Sequence, residues 1–307
     1  MNVIMRPAWN RPEMLQLSIE YELEARKYHK FSSDLMGVFV LDYGYDDKML
    51  EIIDNYPDPK MVIKRERRLG LTVNILEGLK ESFTHADDYV IYIEDDMLIH
   101  KTYFKFMDVV MDIADPNIYS LIIGYSKGIH NKNGNFDNPS GDINSIRRDH
   151  AYAAFAPLIR KEFFNNYVLP CITPTYYKDF GSRDKFVVAL ADKYKDDKRF
   201  KYRDSRLHTH NEQAGLINRL VDVAFIEEGL YTLRPEITRT IHIGFYGKNR
   251  AGKLPGESFE KRLKVLRNAV DNHKLYELTG SKQYNDYEYF TPKLDDWDGT
   301  LYIWERT

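Results

Sequence analysis

Cysteine is almost absent from the 307 residues; Cys171 stands alone. One thiol forms no intrachain disulfide and assembles no thiolate metal cluster. Long apolar runs are missing as well. No stretch approaches the roughly 18–20 residues of a membrane span, and residues 1–13 lack the charged-then-apolar order of a secretion signal. These absences lead us to expect a cytoplasmic chain with no membrane contact, and the Lys-, Asn-, Tyr- and Asp-rich composition points to a viral or bacterial host cytosol. Neither sign of charge dominates: 44 Lys and Arg face 47 Asp and Glu, a net charge of −3. A polyanionic partner would therefore need a local patch. Glycine is absent from Met5–Asn10, just after the first apolar run, which disfavours the Gly-rich phosphate loop of a nucleotidyltransferase.

What is present describes a globular enzyme-sized chain. Hydrophobic residues make up 43% and charged residues 30%, enough for a sizeable core. The 23 tyrosines fit stacking on bases or sugars, although core packing is the commoner use of aromatics. Strand signals at Asn2–Met5, Met36–Leu41, Lys60–Lys64 and Tyr89–Ile93 alternate with helical patterns. The first helix opens at Asn10-Arg11-Pro12-Glu13, with Leu15, Ile19, Leu23 and Tyr28 on one face; the next cover Lys48–Asn55 and Leu71–Ser82. This alternation predicts an α/β fold, a mostly parallel sheet flanked by helices in a single domain. Further strands are expected at Ile118–Ile123 and Ala151–Ile159, an exposed loop at Asn131–Asp142, and an amphipathic basic helix at Ser258–Asn272.

The strongest local signal is Glu94-Asp95-Asp96, directly after the apolar run Tyr89–Ile93. A hard divalent cation takes oxygen ligands and commonly binds one or two carboxylates plus substrate phosphates. Carboxylates at a strand's carboxyl end in an open sheet are placed for that, whereas an isolated acidic pair is more often a solvated turn.

A second signal is Arg234-Pro235-Glu236-Ile237-Thr238-Arg239-Thr240, followed by Gly244 to Gly247 and a basic helix over Phe259–Asn268. With Glu94-Asp95-Asp96 and the aromatic helix start Tyr103-Phe104-Lys105-Phe106, this ordered set resembles the Golgi N-acetylglucosaminyltransferase family that adds GlcNAc to a mannose arm of N-glycans. The resemblance covers roughly residues 1–110 and 150–270 as a series of motifs. It implies a GT-A (Rossmann-like) fold, a UDP-sugar donor, Mn²⁺ or Mg²⁺, and inversion at the anomeric carbon. Residues 1–110 become the nucleotide-sugar-binding half, and 111–307 the acceptor-binding half with a lid loop and a C-terminal extension. Asp96 is then the direct metal ligand, Glu94 and Asp95 hold the ribose and support the metal, and Arg11 and Asp42 meet the phosphates and the uracil. Arg68, Asn74 and Arg239 are further donor-binding candidates. His242 either completes the metal site or is a structural histidine. Lys248 and Arg250 lie in a glycine-rich basic loop able to close over the diphosphate.

The family's acidic base motif is not found before Arg234. Glu212, opening an apolar helix, is the candidate general base, with Asp204 and Asp179 as alternatives; an N-terminal carboxylate that merely complements a helix dipole remains the competing reading. For a cytosolic acceptor, the class considered is the hydroxymethylated pyrimidine of DNA, acted on by phage glycosyltransferases of GT-A type. Arg199, Tyr202 and Arg203, in a cluster mixing cations with aromatics, are the acceptor-binding candidates. A glycan or protein acceptor, or a non-catalytic nucleotide-sugar-binding protein, stays open. The oligomeric state is not legible.

Overall fold

The computed structural model describes residues 1–28, 34–57, 59–125, 129–130, 136–137, 142–149, 152–178, 185, 189, 192–194, 196–199, 212–245, 253–272, 274–279 and 294–304. Its centre is a nine-stranded sheet in the order β13-β9-β11-β6-β10-β4-β1-β2-β3. The first four strands are β1 (Asn2–Ala8), β2 (Leu35–Leu41), β3 (Lys60–Lys64) and β4 (Tyr89–Tyr92). They pair in parallel, as the alternation with helices predicts. β6 (Tyr119–Ile123) and β11 (Tyr231–Pro235) run the same way as β4, with β10 (Pro157–Arg160) antiparallel between β4 and β6. β9 (Ser145–Asp149) lies antiparallel on β11, and β13 (Tyr302–Trp304) closes that edge parallel to β9. The sheet is thus mixed but mostly parallel, and it runs unbroken from the N-terminal strands to the C-terminal one.

Two helical layers cover it. On one face, α3 (Leu71–His85) and the helix Glu212–Glu228 bury Ile75, Leu79, Leu216 and Leu220 against Val3, Met5, Val38 and Val90. On the other, α4 (Tyr103–Ile113) sets Phe104 and Phe106 against Ile4, Ile91 and Leu158. There too lie α1 (Pro12–Lys27) and α2 (Asp47–Asp54), which meet Phe39 and Leu41 through Leu15, Ile19, Met49 and Ile53. The period-2 alternation of β1, with Val3 and Met5 on one face and Ile4 and Arg6 on the other, reflects a strand covered on both sides.

The structure lengthens β1 beyond the expected Asn2–Met5. Pro7 lies inside the strand and pairs with Val40, although proline usually ends ladders. Met5 O accepts from Ile93 N, so the same alternation turns the Pro7 nitrogen towards the β4 side, where β4 has already ended and no ladder donor is needed. The expected strand Ala151–Ile159 shrinks to Pro157–Arg160, because Ala156 turns the chain with φ 50. Part of the expected exposed loop 131–142 is a strand, β8 (Phe136–Asp137), paired with β7 (Ile129–His130).

A small second sheet positions the site. β5 (Met97–Ile99) pairs antiparallel with β12 (Thr240–His242), matching His242 to Met97. Among the described residues, no helix is long and apolar enough to cross a membrane. Cys171 is half-buried, its Sγ donating to Tyr167 O at 3.2 Å. Burial pushes its thiol up to about 11, so it stays protonated.

Candidate functional site

The carboxyl ends of β1, β2 and β4 form one rim, at the point where strand order reverses between β1 and β4. Open α/β sheets bind ligands in such crevices. β4 ends in a tight turn, closed by Met97 N donating to Glu94 O at 3.1 Å. Asp95 and Asp96 sit on this turn, each only 3% exposed. Arg11, on the loop leading from β1 into α1, grips both: Nη1 lies 2.5 Å from Asp96 Oδ2, and Nη2 bonds Asp95 Oδ1. From the opposite side, Ile243 N donates to Asp96 O at 2.8 Å, and His242 Nε2 lies 3.3 Å from Asp96 Oδ2.

Burial pushes Glu94 up to about 7, reinforced by the charge of Asp96 and opposed by the Tyr92 hydroxyl, His242 and Arg11. Burial likewise lifts Asp95 to about 6 against the pull of Arg11. Burial acts to raise Asp96 too, but Arg11 and His242 outweigh it and hold its carboxyl well below the usual range. The anionic charge therefore resides first on Asp96, and a cation at the turn would draw the protons from its neighbours.

Two observations test whether these residues fit a divalent cation. Asp96 Oδ1 is buried and accepts no hydrogen bond, an exception that asks for a partner. Gly244 leaves open the space beside the other oxygen of the same carboxylate: a Cβ there would run into Asp96 Oδ2 and His242 Nε2. Carboxylate oxygens and an imidazole suit Mn²⁺ or Mg²⁺. Among the described residues, no three His, Cys, Asp or Glu converge into a metal cluster built from protein alone. That agrees with a cation held by one or two carboxylates and completed by substrate phosphates and water. The residues fit. Gly244→Ala is accordingly expected to displace Asp96 and His242 and, by overpacking this buried site, to lower the melting temperature by about a few degrees, as calorimetry would show.

Asp42 lies at the end of β2, as expected. Its carboxylate is occupied by the backbone, accepting from Leu69 N at 2.8 Å, Gly70 N at 3.0 Å and Tyr43 N at 3.0 Å. Arg68 reaches the same rim, stacked 4.3 Å from the ring of Trp9, whose Nε1 donates to Gly44 O.

Other candidates lie elsewhere. Asn74 is buried in α3, bridging Arg65 and Val40 O. Arg239 is fully buried, with its guanidinium between the rings of Phe106 at 4.3 Å and Trp297 at 4.7 Å, donating to Ile237 O and Ile143 O. It fastens the C-terminal segment to the core and does not reach the rim. Arg199 is at the surface, paired with Asp197 at 2.7 Å. Asp179, Tyr202, Arg203, Asp204, Lys248 and Arg250 lie outside the described residues, as does the side chain of Glu212, whose backbone starts the Glu212–Glu228 helix.

Sequence reading missed Trp9, Arg6, Ser18 and Glu22. The last two were visible as polar residues four apart on the apolar stripe of α1, and Arg6 as a charge following Asn2–Met5.

No family model and no curated protein matches this chain. Solved structures with a similar outline include a mannosyltransferase from Pyrobaculum calidifontis in complex with GDP-Man and Mn²⁺. It is 14% identical, with 61% of this chain and 52% of that one covered, TM-score 0.40. Another is S. aureus TarS in complex with UDP-GlcNAc, at 15% identity, 54% and 47% coverage, TM-score 0.38. A third is the glucosyl-3-phosphoglycerate synthase from Mycobacterium tuberculosis with Mn²⁺, UDP-glucose and phosphoglyceric acid, at 10% identity, 91% and 80% coverage, TM-score 0.38. The chain thus spans about half the length of the first two.

Proposed function

We propose that this chain is a metal-dependent, inverting glycosyltransferase of GT-A type that moves a sugar from a UDP-sugar to an acceptor hydroxyl. The observation that carries the reading is Asp96: a buried, ionised carboxylate at the sheet's switch point, with Oδ1 unpaired and Oδ2 facing the space left by Gly244. Asp96, joined by either Asp95 or His242, would hold Mn²⁺ or Mg²⁺, with substrate phosphates and water completing its shell. Such a cation neutralises charge on a departing diphosphate. Arg11, already drawn to this anionic turn, is placed to exchange its carboxylate contacts for phosphate oxygens. Trp9 and Arg68 supply the nucleotide end of the rim, and Asp42 shapes it by holding the backbone of Leu69 and Gly70.

In the transfer, the bond from the anomeric carbon to the phosphate oxygen breaks and its electron pair leaves with UDP. The acceptor oxygen bonds the opposite face of that carbon, and its proton passes to a carboxylate base. Glu212 is our choice for the base because it opens a helix packed on the same sheet; Asp204 and Asp179 are the alternatives. For the acceptor we keep hydroxymethylated pyrimidine in DNA as the class to test first. The pairing of Arg199 with Asp197 reduces the positive charge available to DNA there, which makes a glycan the acceptor class to test next.

The test is a donor screen with UDP-glucose, UDP-GlcNAc, UDP-galactose and GDP-mannose, following released nucleotide with and without hydroxymethylcytosine DNA. Release from one UDP-sugar is expected, abolished by EDTA and restored by Mn²⁺. Stimulation by the DNA supports that acceptor, and its lack turns the search to glycans. No release from any donor with any metal would overturn the enzymatic reading in favour of a nucleotide-sugar-binding protein.

A further inference from the structure

Behind the acidic turn lies a second group of charges that the proposed reaction does not touch. Arg6 projects from β1 into the layer of α1 and is 1% exposed. Its Nη1 donates to Glu94 O at 3.2 Å and to Ser18 Oγ at 2.6 Å, and its Nη2 pairs with Glu22 Oε2 at 2.6 Å. Ser18 Oγ in turn donates to Met97 O. The two carbonyls so held, Glu94 O and Met97 O, are those of the first and last residues of the four-residue turn that carries Asp95 and Asp96.

The group is itself braced. Glu22 is fully buried, and its Oε1 accepts from Tyr56 Oη at 2.6 Å and Arg26 Nε at 2.9 Å. Tyr56 reaches it by passing over Gly37 in the middle of β2, where an added Cβ would lie 2.6 Å from Tyr56 Cε1. A glycine inside a buried strand weakens it, and here it makes room for the tyrosine. Two arginines against one glutamate leave this buried group with an excess positive charge beneath three carboxylates.

We propose that Arg6 and Ser18, braced by Glu22 and Tyr56, are positioning residues that clamp the backbone of the acidic turn from behind, so that Asp95 and Asp96 present their carboxylates to a divalent cation in one fixed geometry. The proposal rests on the metal-dependent reading above. Groups that orient metal ligands contribute about 10–100-fold to metal affinity without touching the metal, and this clamp meets the ligands through their main chain.

The test uses the whole chain with UDP present and Mn²⁺ as probe, read by electron paramagnetic resonance of the free and bound ion. Ser18→Ala removes one hydroxyl, and Arg6→Lys keeps the charge but loses the fork that spans Ser18, Glu94 O and Glu22. Phe164→Leu is the control; it loses buried packing on the opposite face of the sheet and meets neither the turn nor the clamp. All are titrated where circular dichroism shows them folded. Ser18→Ala is expected to bind Mn²⁺ roughly 10-fold more weakly and Arg6→Lys up to roughly 100-fold, with a changed lineshape for the bound ion; Phe164→Leu matches wild type. Should Arg6→Lys fail to fold, Ser18→Ala decides. Wild-type affinity and lineshape in Ser18→Ala, or an equal loss in Phe164→Leu, overturns the clamp and leaves the metal site standing. A wild-type protein that binds no Mn²⁺ removes the metal reading itself.

Discussion

Asp96→Asn is expected to lower nucleotide release from the sugar donor by on the order of 10³-fold, far more than the stability lost with its Arg11 and His242 ion pairs accounts for. The substitution keeps size and shape but removes the one carboxylate at the turn held fully ionised by Arg11 and His242. Burial lifts Glu94 to about 7 and Asp95 to about 6, and the charge of Asp96 adds to both shifts. Removing the Asp96 charge eases its repulsion of Glu94 and Asp95 but gives up the stronger pull of Arg11 and His242; Arg11 keeps its bonds to Asp95. A loss of activity much larger than the change in the folded fraction marks a residue kept for function. Released UDP and the melting temperature, measured on the same preparation, check both halves. Activity within tenfold of wild type would move the metal-binding role away from Asp96.

Glu22→Gln is expected to act mainly on stability, destabilising the fold by about 3–5 kcal/mol, the usual cost of breaking a buried ion pair from one side. Glu22 lies between Arg6 and Arg26, 1% exposed at its side chain. Its loss strands two guanidiniums that are themselves largely out of water. For a chain of this size the loss corresponds to a fall in melting temperature on the order of 10 °C. The effect carries a pH signature. Burial acts to raise the carboxyl of Glu22, but Arg26 and Arg6 outweigh it and hold it below its usual 4.5. A carboxylate depressed in the folded state stabilises above the unfolded value, and that contribution is lost as pH falls through the folded one. Wild type should therefore exceed the variant in stability at neutral pH, and the two unfolding curves should converge in acid below pH 4.5. Denaturant titrations at several pH values measure this, and a constant gap across that range would refute the ionic origin.

Much of the first 110 residues is legible because its cues are local. Apolar runs of four to seven residues, punctuated by Pro57, Gly70 and polar turns, mark strands and helices within a few positions. The acidic turn stands out because Glu94 to Asp96 follow such a run directly. The second half is harder to read. β10 and β9 run antiparallel into the sheet, and antiparallel insertion leaves no periodic mark that sets it apart from a parallel strand. Residue roles fail for a related reason. Arg239 looks like a ligand for phosphate within a motif of charged and polar residues, yet two aromatic faces and two backbone carbonyls in the core satisfy its guanidinium. Asn74 likewise reads as a donor contact but spends its amide on Arg65 and Val40 O.

What the sequence by itself determined is the α/β alternation and the carboxylates at the end of β4, since both depend on residues within one or two elements of each other. Only the tertiary structure decided which distant residues share the site. His242 and Gly244 reach Asp96 because β12 folds back antiparallel on β5. Arg6, Ser18 and Tyr56 meet behind the turn because α1, β1 and α2 pack on the same face. Such contacts depend on chain closure over scores of residues, and the order of amino acids carries no local trace of where those closures fall.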